Sequence, residues 1–211
     1  NLYHKSLMSI NVNDYENAKK NIDEAIKIAQ EHDYLSNLAK YLDCLGIILR
    51  YEKDYEYALK AINESLSISR KIKDIHGERK YLNSLGLVKE QTGNYVKALD
   101  LYLDCLQLSK KMNEKRSISV SYNNIGCIYE CLNDWELANK NFKKALSYAK
   151  RIDYKEGIAA FQFNIAFIYG KLKKYDKAFQ FIEGSIEAHR KINSSHPFIL
   201  SCNIYKTFLY V

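Results

Sequence analysis

Proline is almost missing from this chain: one, Pro197, in 211 residues, with only eight glycines. So few breakers exclude collagen-like and proline-rich extended architectures. They leave long helices joined by short turns, because proline costs about 3 kcal/mol in a helix interior. No stretch approaches the roughly 18–20 uninterrupted apolar residues of a membrane-spanning helix, so a cytoplasmic protein with no membrane partner is expected. The five cysteines, at 44, 105, 127, 131 and 202, include no C-x-x-C pair, and Cys127 and Cys131, four apart, have no histidine beside them. A zinc site needs further ligands to converge, so reduced thiols are expected, with no metal and no cofactor. The five histidines are scattered, and H-E-x-x-H, a glycine-rich phosphate loop and G-x-S-x-G are all missing. An enzyme is not expected. The opening residues, Asn1-Leu2-Tyr3-His4, carry no initiator methionine, basic region or apolar leader, so the sequence is expected to begin inside a longer protein.

Charge of one sign does not dominate either. The net charge of +7 comes from 32 basic residues interspersed with 25 acidic ones, the mark of solvated helix faces. A nucleic-acid surface gathers its cations on one face. Lys140, Lys143, Lys144, Lys150, Arg151 and Lys155 come nearest to that, and nucleic acid is not expected as a partner.

What the chain has is a period. Gly46, Gly86, Gly126 and Ala166 are forty residues apart, as are Tyr15, Tyr55, Tyr95, Trp135 and Tyr175, and Ala18, Ala58, Ala98, Ala138 and Ala178. Self-similarity at a period of about 20–50 residues is the signature of a repeat array. Within one unit, Leu42, Leu45, Gly46 and Leu49 form one helical stripe, and Tyr55, Ala58, Ile62, Leu66 and Ser69 a second. Between them Asp54 is placed to cap the second helix, with Glu56 favourable in its first turn. Asp14, Asn94 and Asp134 repeat that cap; Lys174 replaces it in the fifth unit. Each unit is thus a helix pair, A then B. The small residue at 46, 86, 126 and 166 is expected to admit a close helix B, with the alanine at 58, 98, 138 and 178 facing it. The aromatic at 15, 55, 95, 135 and 175 is expected to fill the space between pairs.

These units resemble tetratricopeptide repeats. Leu82, Leu85, Gly86, Tyr95 and Ala98 carry the likeness in the third unit, and Tyr122, Ile125, Gly126, Trp135 and Ala138 in the fourth. The spacing is forty residues against the commoner thirty-four, as in the longer variant found in bacterial regulatory proteins. The resemblance implies an all-α fold, a right-handed α-solenoid of antiparallel helix pairs. It would form a single array over 1–211, with units near 1–34, 35–74, 75–114, 115–154 and 155–194. Ser194, Ser195, His196 and Pro197 read as a cap region before a terminal helix 197–211.

The resemblance also implies that helix A lines a concave groove for a peptide or protein ligand. One helical step off the packing stripe lie Tyr3, Leu7 and Ile10, then Lys40, Asp43, Ile47 and Arg50. Lys80, Asn83, Leu87 and Glu90 follow on the third helix A. Asn123, Cys127 and Glu130 follow on the fourth, and Phe163, Phe167 and Lys171 on the fifth. Asn83 and Asn123 share a phase, and an amide that both donates and accepts suits a peptide backbone of any sequence. Phe163 and Phe167, with Phe161, either form an apolar pocket or pack on the terminal helix; packing is the favoured reading. No helix A carries the Lys-x-x-x-Asn with which some relatives clamp a chaperone's C-terminal carboxylate. Two functions compete: a non-catalytic peptide- or protein-binding scaffold, and the sensory domain of a larger bacterial signalling protein with a DNA-binding, kinase or cyclase output.

Overall fold

The computed structural model describes residues 2–193 and 197–208. The expected cap residues 194–196 and the last three of the expected terminal helix lie outside the described residues. Among the described residues there are eleven helices and no strand. They are α1 (Leu2–Asn11), α2 (Tyr15–Glu31), α3 (Leu35–Tyr51), α4 (Tyr55–Lys71), α5 (Ile75–Gln91), α6 (Tyr95–Lys111), α7 (Lys115–Cys131), α8 (Trp135–Arg151), α9 (Lys155–Lys171), α10 (Tyr175–Ile192) and α11 (Pro197–Phe208). From Tyr15 onward each helix through α10 starts twenty residues after the last, and α2 to α9 each consist of seventeen residues of helix followed by three of turn.

The nine turns between α1 and α10 share one construction. The middle residue is left-handed, with φ between 49° and 74°: Asn13, Asp33, Lys53, Lys73, Gly93, Asn113, Asn133, Asp153 and Lys173. Its N–H returns to the carbonyl three residues back, and the next N–H to the carbonyl five back, as in Lys53 N to Arg50 O (3.1 Å) and Asp54 N to Leu49 O (2.8 Å). This is the Schellman closure of a helix C-terminus. The residue that completes it is also the N-cap of the following helix. Asp14, Asp54, Asp74 and Asp134 accept from the backbone N–H of Asn17, Tyr57, Gly77 and Leu137 at 2.9–3.4 Å, and Asn94 from Lys97 at 3.3 Å. Lys174 makes no side-chain cap, as its sequence predicts, and neither do Tyr34, Glu114 and Tyr154.

The chain divides into two compact units, Asn1–Cys105 and Leu106–Val211. In the first, α2 to α5 each pack on the helix before, and α3 also packs on α5. In the second, α8 to α10 do the same, α7 also meets α9, and α11 packs on α10. Three-residue turns make each such pair antiparallel. Every helix B buries a stripe at i, i+4, i+7 and i+11. Examples are Ala18, Ile22, Ala25 and Ala29 on α2, and Ala138, Phe142, Ala145 and Ala149 on α8. Burying an isoleucine or phenylalanine in this way contributes about 1.5–3 kcal/mol.

The glycines of helix A do admit helix B closely, but the side chain they admit is a large one. A Cβ on Gly46 would run into Ile62, one on Gly86 into the Tyr102 ring, and one on Gly126 would stand 2.6 Å from the Phe142 ring. Ile182 takes the equivalent place in a cluster with Ala166. Ala58 also lies beside Gly46, its carbonyl 3.2 Å from where that Cβ would stand, but the nearer atoms are those of Ile62. Of the repeated aromatics, Tyr15 bridges pairs as expected, stacked on Tyr51 at 5.5 Å. Tyr175 instead remains 45% exposed.

The other stripe position that departs from alanine has a reason too. Cys105 Sγ donates to the Arg79 carbonyl at 3.3 Å and Ser185 Oγ to the Ala159 carbonyl at 2.7 Å. The two contacts are equivalent, tying helix B to the first turns of its helix A. Ser65 bonds the Ala61 carbonyl of its own helix instead.

Candidate functional site

In the first unit, the sequence-predicted positions of α3 and α5 lie on two helices that touch. Lys40, Ile47, Arg50, Lys80, Asn83, Leu87 and Glu90 are all half-buried, neither core nor free surface. A cavity of about 300 Å³ between the helices draws Ile47, Arg50, Lys80, Asn83 and Leu87 together, with Arg79 and Ile62 of α4 also in its lining. Five of the eight predicted residues of α3 and α5 therefore share one site.

Asp43 stands apart. It is fully enclosed, at 0% exposure, so it supports this face from beneath. Lys80 Nζ lies 2.9 Å from its Oδ2. Burial disfavours the Lys80 charge, but the Asp43 carboxylate outweighs it and holds the ammonium above its ordinary pKa. Burial raises the Tyr3 phenol and the Cys44 thiol nearby. Lys40 sits over the Tyr3 ring at 3.9 Å and Arg50 over Tyr51 at 4.5 Å, contacts that hold each cation in place. Glu90 accepts a 2.7 Å hydrogen bond from the Tyr102 hydroxyl, and burial raises its carboxyl even with Arg50 near.

In the second unit, Asn123 of α7 accepts from Asn164 Nδ2 of α9 at 2.9 Å, while its own amide points along α7 to Cys127 Sγ at 3.8 Å. The asparagine expected to bind a backbone already has a side-chain partner. Glu130 and Cys127 are half-buried on the same helix. Phe163 and Phe167 both pack on Tyr205 of α11 at 5.8 Å, and the Tyr205 hydroxyl donates to the Phe167 carbonyl at 3.3 Å. The favoured packing reading of these rings is the one observed. Phe161 is buried against Tyr154.

Sequence reasoning passed over Asn164, Arg79 and Tyr102. Asn164 falls forty-one residues after Asn123, and Arg79 immediately precedes Lys80, so a comparison at strict phase skips both. Tyr102 was masked by its packing role. Of the basic cluster, Lys143 donates to the Tyr169 hydroxyl at 2.7 Å and Arg151 lies over Tyr148 at 5.4 Å. Among the described residues no group of three or more His, Cys, Asp or Glu is placed to hold a metal, and no helix is long and apolar enough to cross a membrane.

Comparison with known proteins agrees with this geometry. A tetratricopeptide-repeat model matches residues 37–111 and 77–151, and a second matches 159–191. A model of anaphase-promoting complex subunit 5 matches residues 1–52. No curated protein matches the chain. Among solved structures, the apo form of RapI is similar with a TM-score of 0.85 at 16% identity, over 100% of this chain and 76% of that one. The Rap conjugation regulator of plasmid pLS20, in complex with the Phr* peptide, is similar with a TM-score of 0.82 at 15% identity, over 99% of this chain and 57% of that one. A signal-transduction ATPase with numerous domains from Pyrococcus horikoshii, bearing a tetratricopeptide-repeat sensor, is similar with a TM-score of 0.79 at 20% identity, over 99% of this chain and 32% of that one. At these identities the likeness shows the fold. The repeat models cover more than half of the sequence, their matches span the helix pairs described above, and the chain belongs to the tetratricopeptide-repeat family.

Proposed function

We propose that this chain is a non-catalytic cytoplasmic scaffold, a single array of the forty-residue variant, that holds a peptide or protein segment against its A helices. In the first unit the contact residues are Lys40, Ile47, Arg50, Lys80, Asn83, Leu87 and Glu90, with Asp43 beneath. In the second they are Asn123, Cys127 and Glu130, with Phe163 and Phe167 packed on Tyr205 instead. The observation that carries this reading is the cavity between α3 and α5, where apolar side chains and convergent polar groups meet on a rigid frame. The peptide seated in the pLS20 regulator supports it.

A second reading has its own support in the tetratricopeptide-repeat sensor of the Pyrococcus horikoshii ATPase: this chain as the sensory part of a larger signalling protein. The first reading is tested by selection from a displayed random peptide library. Saturable binders are expected, with affinity lost in Leu87→Ala and Asn83→Ala at an unchanged melting temperature. If no peptide is retained, or if the variants bind equally well, the scaffold reading fails.

A further inference from the structure

We infer that the edge of the second unit where α6 and α8 end and α7 and α9 begin binds single-stranded nucleic acid through its phosphates. This surface uses none of the α3–α5 cavity residues and goes beyond the scaffold reading.

Interspersed charge in the sequence spoke against such a partner, but folding sorts that charge. The end of α6 and the start of α7 carry Lys110, Lys111, Lys115 and Arg116. The end of α8 and the start of α9 carry Lys144, Lys150, Arg151 and Lys155. Antiparallel packing of α7 on α8 brings the two groups to one edge, and Arg116 lies over the Tyr154 ring at 4.4 Å. Segments 110–116 and 144–156 hold eight cations against three acids, Glu114, Asp153 and Glu156, and so supply +5 of the chain's net +7. The same positions eighty residues earlier, 30–36 and 64–76, hold three cations against four acids. One of those three, Arg70, is paired with Glu78 at 2.7 Å. In the second unit all eight cations are exposed, and among the described residues none of them makes an ion pair. Neighbouring helices pack about 8–10 Å apart, within one Debye length at ordinary salt. The charges therefore reinforce one another and draw in a polyanion.

Tyrosines fix the cluster. Lys110 of α6 and Lys144 of α8 lie over one ring, Tyr122 of α7, at 5.5 and 5.1 Å. That ring stacks on Tyr148 at 5.9 Å, and Arg151 lies over Tyr148 at 5.4 Å. Cations that repel one another are thus held side by side by the rings. Arg116 and Arg151 are each backed by a ring and exposed to solvent, and a guanidinium plane is a surface on which an unpaired base stacks. That favours a single strand over a duplex, whose bases are already stacked. An acidic protein segment or a membrane fits less well. Protein interfaces are anchored by large side chains in desolvated pockets, and of the exposed large hydrophobic residues only Ile152 falls in these segments, at 36%.

The test follows the anisotropy of a fluorescein-labelled oligouridine, about twenty nucleotides to exceed a site of roughly 4–16, titrated with the whole chain. Saturable binding is expected. About five neutralised phosphates give a salt slope near −3.5, a loss of roughly a hundredfold in affinity between about 50 and 200 mM salt. The combined variant Lys111→Gln, Lys115→Gln, Lys150→Gln and Lys155→Gln alters exposed side chains alone. It should bind at least about tenfold more weakly, with a shallower slope, at a melting temperature no lower than that of the wild type. Removing the same charge elsewhere, with Lys20→Gln, Lys27→Gln, Lys71→Gln and Lys97→Gln, should leave affinity within about twofold. Unlabelled oligouridine should compete, whereas a DNA duplex of equal length, a glutamate peptide of equal length and phosphatidylserine vesicles should compete poorly. No binding in low salt, an equal loss in the two variants, or competition by any of those three as strong as by oligouridine overturns the inference.

Discussion

At the scale of single residues, two acids dominate, Asp43 buried and Glu90 half-buried. Asp43 has 0% exposure and one ionic partner. Lys80→Met would strand that carboxylate in the interior and should cost about 3 kcal/mol in urea melts, whereas Asp43→Leu with Lys80→Met should recover most of it, because an apolar pair replaces a buried ionic one. A double variant as unstable as the single would show that the ion pair is not what Asp43 depends on. Glu90 makes a different statement. Its folded carboxyl is raised by burial, so the folded chain holds that proton more tightly than the unfolded one. The stability this group contributes is present in acid, falls as pH climbs from the ordinary carboxylate value through the raised one, and is flat beyond. Glu90→Gln keeps an acceptor for Tyr102 and removes the titration. Melts across roughly pH 4–8 should show the variant gaining on the wild type as pH rises; a constant difference would contradict the burial account. None of this was legible in advance, since Asp43 meets its partner thirty-seven residues along the chain and no local pattern marks it as enclosed or Glu90 as half-buried.

At the scale of helices and turns, much more could be read. The forty-residue recurrence of glycine, aromatic and alanine is forced by packing, so it survives in sequence, and the aspartate caps announce helix starts at Asp14, Asp54 and Asp134. The partner of each glycine was less visible, because Ile62, Tyr102 and Phe142 differ in kind and share only their phase. Gly86→Leu should overpack against Tyr102 and cost about 1–3 kcal/mol, and Tyr102→Ala in the same chain should return part of it. A melting curve unmoved by Gly86→Leu would remove this contact from the account. The left-handed turn residues were hidden altogether, because only Gly93 carries the usual mark. Lys53, Lys73 and Lys173 hold a conformation that costs an L-residue roughly 1–2 kcal/mol. Replacing each by glycine should stabilise the chain by about 0.5 kcal/mol once glycine's greater freedom in the unfolded state is subtracted. Gly93→Ala should destabilise it.

At the scale of the molecule, repeats that contact mainly their neighbours make stability a sum of local terms. Within the second unit α11 packs on α10 and on Phe163 and Phe167 of α9, through Ile199, Cys202 and Tyr205, while Phe198, Leu200 and Ile204 are more than half exposed. Hydrogen exchange should therefore be fastest in α11 and slowest in α3, α4, α8 and α9; uniform protection would mean that the unit opens only as a whole. The turns carry one more consequence. Each ends one helix and begins the next with the same residue, so it holds no slack. Inserting or deleting one residue there would either break a Schellman closure or rotate every later side chain off its stripe. Adding a lone twenty-residue segment would place a glycine face where an isoleucine or aromatic face belongs. The smallest tolerated change in length is a whole forty-residue pair, and an array of this kind gains or loses binding surface by duplicating or dropping pairs.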